Sequence, residues 1–196
     1  MWLEPLISFL TYQRWFFYFA RYSVLGYVRL FHGLSIEGQE NIPSKGGLIV
    51  AANHFSSLDP PVLGVCVPRP IDYMAKKELF DTTFGNILMQ GLIAFPVDRS
   101  KADMTAIKEA LRRLQQGRVV GIFIQGTRNA GDAEALNGAA FLAQRGNVPI
   151  VPAAIWRKGR RFYVRFGSPL QAGDRSKETM QALTNATMER IHELMG

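Results

Sequence analysis

The sequence predicts a single α/β domain with a mostly parallel central sheet flanked by helices. Three observations lead to this prediction. The 196 residues suffice for one sizeable core and are few for two. After residue 35, apolar runs alternate with segments of helical periodicity, which is typical of parallel strands joined by crossover helices. Before residue 35, large aromatic side chains crowd into one arginine-interrupted stretch, so residues 1–34 are expected to form an amphipathic segment that precedes the domain at 35–196.

The N-terminal segment is expected to form helices that dock on a membrane interface. Its arginines leave no apolar run of the ~18 residues that a membrane span needs, and they argue against a secretory signal. On a helix, Arg14 and Arg21 lie within about 20° of each other, with Arg29 on the same broad face and a wide aromatic face opposite. This pattern favours aromatic side chains in the acyl boundary and arginines near anionic headgroups, and packing on the domain's own core is the alternative. The expected docking residues are Trp2, Arg14, Trp15, Phe16, Phe17, Phe19 and Arg21.

The domain that follows is expected to contain six strands and five helices. The apolar runs predict strands at 47–52, 71–75, 92–97, 118–124, 149–155 and 162–166. Helices are predicted near 60–66, 78–89, 103–116, 135–145 and 175–195. Asp103 is a suitable N-cap for the third of these helices, and Gly117 ends it. The last helix begins after Asp174, and its mixed charge predicts a solvated outer position.

Charge and cysteine content narrow the function classes. The formal net charge of +7 indicates an anionic partner, such as a nucleic acid, an anionic membrane or a phosphorylated substrate. Nucleic acid is the least favoured of these, because the aromatic residues cluster in one apolar segment and do not interleave with lysine and arginine. Cys66 is the only cysteine, which excludes an intramolecular disulfide and a thiolate metal cluster and fits a reducing compartment.

The stretch "NHFSSLDP" places His54 after the first strand of the domain and Asp59 five residues later. Sites in open α/β sheets form where strands end, so His54 stands at a position suited to a reactive group. A turn between the two residues would bring the carboxylate to one imidazole nitrogen and leave the other nitrogen as a general base. Alternatively, or in addition, Asp59 before Pro60 and Pro61 is an ordinary helix N-cap.

Other uses of His54 find little support in the sequence. A Gly-x-Ser-x-Gly nucleophile motif is missing, and His32 and His192 lie far off without the spacing of metal ligands. The remaining interpretation is a base that deprotonates a hydroxyl of the substrate, which then attacks an activated acyl group directly. Such acyl transfer needs no covalent enzyme intermediate.

Cationic residues accumulate at the strand ends near this pair. "GIFIQGTRN" ends in Arg128, whose turn suits a phosphate, although a solvated polar turn is equally compatible. "FPVDRS" places Arg99 beside Asp98, where a surface ion pair is the alternative. Lys76 and Lys77 follow another strand. A basic rim of this kind suits a phosphorylated acceptor, an anionic acyl carrier, or both.

These blocks together resemble the bacterial 1-acyl-glycerol-3-phosphate acyltransferases, the lysophosphatidate acyltransferase branch of the glycerolipid acyltransferase superfamily. "NHFSSLDP", "GLIAFPVDR", "GIFIQGTRN" and "VPIVPAAI" match the four blocks of that family in order, over about residues 36–170. The resemblance implies transfer of a fatty acyl group from acyl-CoA or acyl-carrier protein to the sn-2 hydroxyl of lysophosphatidate, giving phosphatidate. It implies no cofactor and no metal, and a monotopic or peripheral position on the cytoplasmic face of the cell membrane.

The resemblance also implies roles for individual residues. His54 would be the general base on the acceptor hydroxyl and Asp59 its orienting partner, with Asn53 and Lys76 in support. Arg99 and Arg128 would hold the acceptor phosphate, "VPIVPAAI" would line the acyl-chain side, and the aromatic N-terminal segment resembles a membrane-docking pair of helices. The residues implied on the acceptor side are Arg99, Gln125, Gly126, Thr127 and Arg128.

The third block departs from the family pattern. The family usually has Phe-Pro-Glu-Gly-Thr-Arg-Ser, whereas residues 123–129 read Phe-Ile-Gln-Gly-Thr-Arg-Asn. Gln125 keeps hydrogen-bonding capacity but carries no charge, and Asn137 stands where many relatives carry lysine. Both changes concern the acceptor side. They leave open another lysophospholipid, glycerol 3-phosphate or a lipid-linked sugar as acceptor, or a catalytically impaired lipid-binding protein.

Overall fold

The computed structural model describes residues 4–98, 103–125 and 130–196 of the chain. The helices are α1 (Glu4–Phe31), α2 (Asp59–Cys66), α3 (Thr83–Gly91), α4 (Met104–Gln115), α5 (Ala130–Gly146) and α6 (Lys177–Met195). The strands are β1 (Leu34–Glu37), β2 (Leu48–His54), β3 (Ile71–Lys76), β4 (Phe95–Val97), β5 (Val119–Gln125), β6 (Ile150–Lys158) and β7 (Arg161–Phe166). Short 3-10 helices lie at Gln39–Asn41 and Lys77–Phe80. None of the described helices is both long and apolar enough to cross a membrane.

The seven strands form one sheet in the order β1-β7-β6-β2-β5-β3-β4. Strands β2 to β6 all run in the same direction, and β7 and β1 run opposite to them, because only the β6–β7 pair is antiparallel. The prediction of a mostly parallel sheet is therefore confirmed. The central position of β2 explains why its residues 48–53 are buried, and parallel pairing brings the carboxyl ends of β2 and β5 to one edge.

Helices cover both faces of the sheet. Alternate residues of β2 point to opposite faces, so Leu48 and Val50 join one core cluster while Ile49 and Ala51 join the other. The first cluster lies under α1 and α2, and the second lies under α4, α5 and α6. The helix residues buried in these clusters include Val28, Val62 and Leu63 in the first, and Ala110, Leu114, Ala139, Ala143, Leu183 and Ile191 in the second.

The structure differs from the predicted elements in three places. Strand β1 was not predicted, because four residues beside a turn-rich segment carry too short a pattern, and its pairing with β7 supplies the missing information. The helix expected near 78–89 is two elements, a 3-10 helix and α3, separated where Thr82 accepts the backbone N–H of Gly85 at 3.0 Å. The strand expected at 92–97 is shorter, since α3 continues to Gly91 and Ile93 has a positive φ of 60°.

Helix α1 uses one face for the core and leaves another face exposed. The resemblance implied a pair of helices, and the structure has one continuous helix over residues 4–31. Arg21, expected near headgroups, instead donates to the carbonyl oxygens of Gly64, Val65 and Val67 at distances of 2.5, 3.1 and 2.8 Å. These carbonyls close α2, whose C-terminal end attracts a cation.

Aromatic side chains of α1 divide between the two faces. Phe17, expected in the docking face, is buried at 8% exposure, whereas Trp15 and Phe19 remain 73% and 72% exposed. Tyr18 and Tyr22 stack on each other beside them. The helix therefore packs on the domain through Arg21 and Phe17 and leaves Trp15 and Phe19 exposed, and docking on a membrane stays a prediction.

Candidate active site

His54 occupies the carboxyl edge of the sheet as the last residue of β2. It stands in register with Gln125, the last residue of β5. The preceding residue, Asn53, is fully buried and bonds both backbone groups of Ile155 in β6, donating to its carbonyl at 2.6 Å and accepting its N–H at 2.7 Å. This amide continues the β2–β6 pairing beyond the ladder and anchors the strand end that carries His54.

The structure brings His54 and Asp59 into contact. Nδ1 of His54 lies 3.2 Å from Oδ2 of Asp59, and the same oxygen accepts the backbone N–H groups of Phe55 at 2.6 Å and Ser56 at 2.7 Å. The Asp59 residue is 4% exposed, whereas one third of the His54 side chain is accessible. An ionised carboxylate only accepts hydrogen bonds, so in a neutral imidazole this contact favours the proton on Nδ1 and leaves the lone pair on Nε2.

The interpretation of Asp59 as a helix N-cap is wrong. Helix α2 begins at Asp59 itself, its N-cap is Leu58, and no side chain caps it. The two residues after Asp59 are prolines, which have no N–H for a capping carboxylate to accept. The Asp59 carboxylate instead turns back to the loop that precedes it, which places it beneath the imidazole.

An aromatic stack, missed from the sequence, supports the imidazole. The His54 ring lies 4.9 Å from the ring of Phe123, and Phe123 lies 5.6 Å from Tyr73. The Tyr73 hydroxyl donates to the Pro60 carbonyl at 2.9 Å, at the start of the helix that carries Asp59. Tyr73 thus links the ring that packs on His54 to the first turn of the helix that begins at Asp59. Alternation along the paired strands puts Phe123, the register partner of Ala52, on the same face of the sheet as His54, and this period-two pattern was the available signal.

Gly121 provides the space for Tyr73, and we expect Gly121→Ala to destabilise the fold by about 1–3 kcal/mol. A Cβ atom at this position would lie 2.6 Å from Tyr73 Cε1, inside a strand that cannot shift without disturbing its neighbours. Urea unfolding measures the change. The matched control is Gly138→Ala in α5, where no atom lies within 4 Å of the added carbon and the helix should be stabilised. Equal free energies of unfolding for Gly121→Ala and the wild type would contradict the packing argument.

The predicted basic rim is present in part. Lys76 is exposed at the end of β3. Its neighbour Lys77 pairs with Asp98 at 2.7 Å. The pair between Asp98 and Arg99, which the sequence left open, involves a residue outside the described ranges. The backbone N–H of Asp98 donates to the Asp103 carboxylate at 2.9 Å, and this bond is the main reason that the pKa of Asp103 is lowered. Asp103 also accepts the backbone N–H groups of Thr105 and Ala106 at the start of α4, which confirms it as an N-cap.

For some residues predicted from the sequence, the structure gives the backbone position but not the side chain. Gln125 and Arg14 are located by their backbones in β5 and α1. Asn137 accepts a hydrogen bond from Thr184 at 3.1 Å, so it lies between α5 and α6, which corrects its assignment to the acceptor side. The predicted residues that lie outside the described ranges are Trp2, Arg99, Gly126, Thr127 and Arg128.

Other reactive groups do not compete with the His54–Asp59 pair. Burial raises the pKa of the Cys66 thiol to about 12, so this cysteine is protonated and inaccessible at neutral pH. Within residues 4–98, 103–125 and 130–196, no three histidine, cysteine or acidic side chains are grouped closely enough to hold a metal ion. The arrangement can therefore accept a proton from a hydroxyl that reaches Nε2 at the open edge.

Known proteins share the sequence pattern of this chain. A family model described as Acyltransferase matches residues 33–156. The chain is 37% identical over 176 residues to 1-acyl-sn-glycerol-3-phosphate acyltransferase of Bacillus subtilis (strain 168), covering 83% of this chain and 88% of that protein. It is 28% identical over 199 residues to the enzyme of the same name from Streptococcus pneumoniae, covering 95% and 73%.

A solved structure supports the fold. The 1-acyl-sn-glycerophosphate (LPA) acyltransferase PlsC of Thermotoga maritima superposes with a TM-score of 0.68 at 24% identity. The match covers 94% of this chain and 80% of the other.

Proposed function

Because the chain belongs to the acyltransferase family, we propose that it transfers a fatty acyl group from an acyl thioester to the sn-2 hydroxyl of lysophosphatidate, forming phosphatidate. The observation that carries the proposal is the contact between His54 and Asp59 at the open edge of the sheet. The names of the relatives, 1-acyl-sn-glycerol-3-phosphate acyltransferases, support the choice of acceptor.

In the proposed mechanism, His54 is the general base. Asp59 holds the proton on Nδ1, and Nε2 takes the proton of the sn-2 hydroxyl while the oxygen attacks the thioester carbonyl. The C–S bond then breaks, and the imidazolium returns the proton to the departing thiolate. The products are phosphatidate and a free thiol, either CoA or acyl-carrier protein. No covalent enzyme intermediate or cofactor takes part.

Cations on the same edge would bind the acceptor phosphate. By resemblance, Arg99 and Arg128 hold it, together with Gln125, Gly126 and Thr127. Exposed Lys76 lies at the end of β3, which pairs with β5, the strand that ends at Gln125. The buried Asn53 and the Asp98–Asp103 hydrogen bond support this region from within the fold.

Exposed apolar side chains suit a substrate that resides in a membrane. Phe55 and Leu58, in the loop between the proposed catalytic residues, are 61% and 36% exposed. Trp15 and Phe19 of α1 are exposed as well, and Phe84 of α3 adds a further aromatic side chain. We infer that these surfaces hold the protein on the cytoplasmic face of an anionic membrane, where the acceptor enters from the lipid layer.

Gln125 favours a second candidate function. The family carboxylate is replaced at a position in backbone register with His54. The same chemistry on glycerol 3-phosphate or another lysophospholipid, or lipid binding with impaired catalysis, fits this replacement. An acceptor series separates these candidates from the leading proposal.

The proposal is tested by measuring thiol release from oleoyl-CoA in mixed micelles with the full-length protein. Release that requires lysophosphatidate is the expected result. If thiol is released with glycerol 3-phosphate or lysophosphatidylethanolamine but not with lysophosphatidate, that compound is the acceptor instead. The same series with acyl-carrier protein in place of CoA identifies the donor. Lipid binding without release from either donor would favour the impaired lipid-binding protein.

We expect Gln125→Glu to raise kcat/KM for lysophosphatidate by about ten-fold. A restored carboxylate can form a charged hydrogen bond on the acceptor side, and such a bond contributes roughly 1.5–3 kcal/mol. The assay is thiol release with varied acceptor, and Gln116→Glu, at the end of α4, is the control for added charge. A Gln125→Glu protein that is slower than the wild type on lysophosphatidate would show that this chain is adapted to the neutral side chain.

A further inference from the structure

The turn between β6 and β7 carries a dense group of cations that the proposed mechanism does not use. Four of five consecutive residues, Arg157, Lys158, Arg160 and Arg161, are basic and exposed around Gly159. We call these four residues the basic hairpin tip. Among the residues that the structure describes, none of the four forms an ion pair with a carboxylate, although other surface arginines such as Arg112 and Arg165 do. This charge is therefore available to an external anion.

The basic hairpin tip lies at the same edge of the sheet as His54, the edge at which β2 and β6 both end. Strands β2 and β6 are parallel, and Asn53 is bonded to Ile155. Lys158 is three residues beyond Ile155, which places it about 10 Å further along the strand direction. The tip consequently projects past the edge at which the substrate would enter.

Contacts join the tip to the exposed end of α1. Arg157 lies 5.3 Å from the Phe162 ring and 3.3 Å from Nδ1 of His32, and the Tyr27 hydroxyl lies 3.3 Å from the other nitrogen of His32. The Phe162 N–H also donates to the carbonyl of Gly33 at 3.0 Å. The hairpin and the C-terminal end of α1 are thus packed together.

Apolar side chains surround this junction. Leu30 and Phe31, in the last turn of α1, are 77% and 52% exposed, and Tyr27 beside them is half exposed. Exposed Arg29 adds a further cation to the same turn. Cations beside outward-facing apolar groups match the boundary between headgroups and acyl chains.

We propose that the basic hairpin tip, with the C-terminal end of α1, binds the headgroups of anionic phospholipids and orients the catalytic edge toward the membrane. This inference rests on the proposed membrane-associated function and assigns headgroup recognition to the hairpin, a region separate from the aromatic face at Trp15 and Phe19. Alternation along the strands sends Arg157 and Lys158 to opposite faces, so the cations point away from the tip in several directions. A layer of phosphates can surround such a tip, whereas a folded acidic protein would meet only one side of it.

Vesicle co-sedimentation tests the proposal with the full-length protein. The vesicles contain phosphatidylcholine alone or an equimolar mixture with phosphatidylglycerol, and the variant is R157Q/K158Q/R160Q/R161Q. Each basic residue near an anionic surface contributes several-fold to binding, so we expect the variant to lose at least about ten-fold in partitioning to the anionic vesicles and little on neutral ones. The wild-type preference should disappear at about 1 M NaCl, where charges are screened within about 3 Å.

Matched variants show whether binding depends on where the positive charge lies or only on the net charge of the protein. K45Q/K108Q/R175Q/K177Q removes four other exposed charges and should keep the wild-type preference. K158Q/R160Q leaves Arg157 on Phe162 and should lose part of the preference without disturbing the fold, which thermal unfolding checks. W15S/F19S should bind less to both kinds of vesicle, because it alters the apolar contact of α1.

The proposal is overturned if the hairpin variant keeps the anionic preference of the wild type, or if the matched control loses as much. It is also overturned if vesicle binding is unchanged while KM rises for acyl-carrier protein, which would make the tip a protein-binding surface. Because partitioning does not require turnover, a wild type that binds as expected but releases no thiol would refute the proposed function and leave this inference standing.

Discussion

Replacing His54 with alanine is expected to lower kcat/KM for acyl transfer by about 10²–10⁴-fold. The substitution removes the nitrogen that accepts the hydroxyl proton, and no other described histidine contacts Asp59. The remaining activity would come from binding and orientation of the two substrates. Thiol release from oleoyl-CoA in the presence of lysophosphatidate measures the loss.

The fold should survive this change. His54 is partly exposed, and its ring contacts Phe123 and the Asp59 carboxylate, which keeps its two backbone N–H donors when the imidazole is removed. Thermal unfolding and vesicle binding should therefore stay close to the wild type. His192→Ala, in the last turn of α6, is the matched histidine control. A His54→Ala protein with turnover near the wild type would remove the general base from the mechanism.

Replacing Asp59 with asparagine is expected to lower kcat by about 10²-fold or more with a smaller change in KM. The amide oxygen can still accept the backbone N–H groups of Phe55 and Ser56, so the loop should keep its shape. The amide cannot accept the Nδ1 proton as a carboxylate does, and an imidazole protonated on Nε2 has no lone pair for the acceptor hydroxyl. The loss should thus appear in the chemical step.

A double-mutant cycle shows whether the two residues act as one unit. If Asp59 acts through His54, then His54→Ala combined with Asp59→Asn should be no slower than His54→Ala alone. Stability of Asp59→Asn by urea unfolding provides the structural control. Additive losses in kcat would mean that Asp59 contributes by another route, for example by shaping the loop at Phe55 and Ser56.

The pair of His54 and Asp59 is local in the sequence. Contact between His54 and Asp59 spans five residues, so a single turn closes it, and the sequence predicted it beside the alternative of a helix cap. The direction of the Asp59 carboxylate was harder to predict, because an Asp-Pro pair commonly opens a helix as a cap. In the structure the carboxylate accepts the backbone N–H groups of Phe55 and Ser56, while the N–H of Val62, the first after the two prolines, donates to the Leu58 carbonyl.

The N-terminal helix shows the opposite case. Its composition indicates both an aromatic surface and a basic stripe, but composition alone does not say which residues the domain covers. The carbonyls at the end of α2 accept Arg21 and the core takes Phe17, whereas Trp15 and Phe19 stay exposed. Similar residues of α1 thus differ in burial, because some of them contact other parts of the fold; Arg21, for example, bonds the end of α2, more than 40 positions away in the chain.

By itself, the sequence determined the α/β class, the alternation of strands and helices, and the strand end that carries His54. These features depend on periodicity and spacing within a few residues, which local physics dictates. Only the tertiary structure decided the pairing of β1 with β7, the stack of Tyr73 and Phe123 under the imidazole, and the junction of the basic hairpin tip with α1. Those contacts join residues far apart in the chain, and their partners are selected by the packing of the whole sheet.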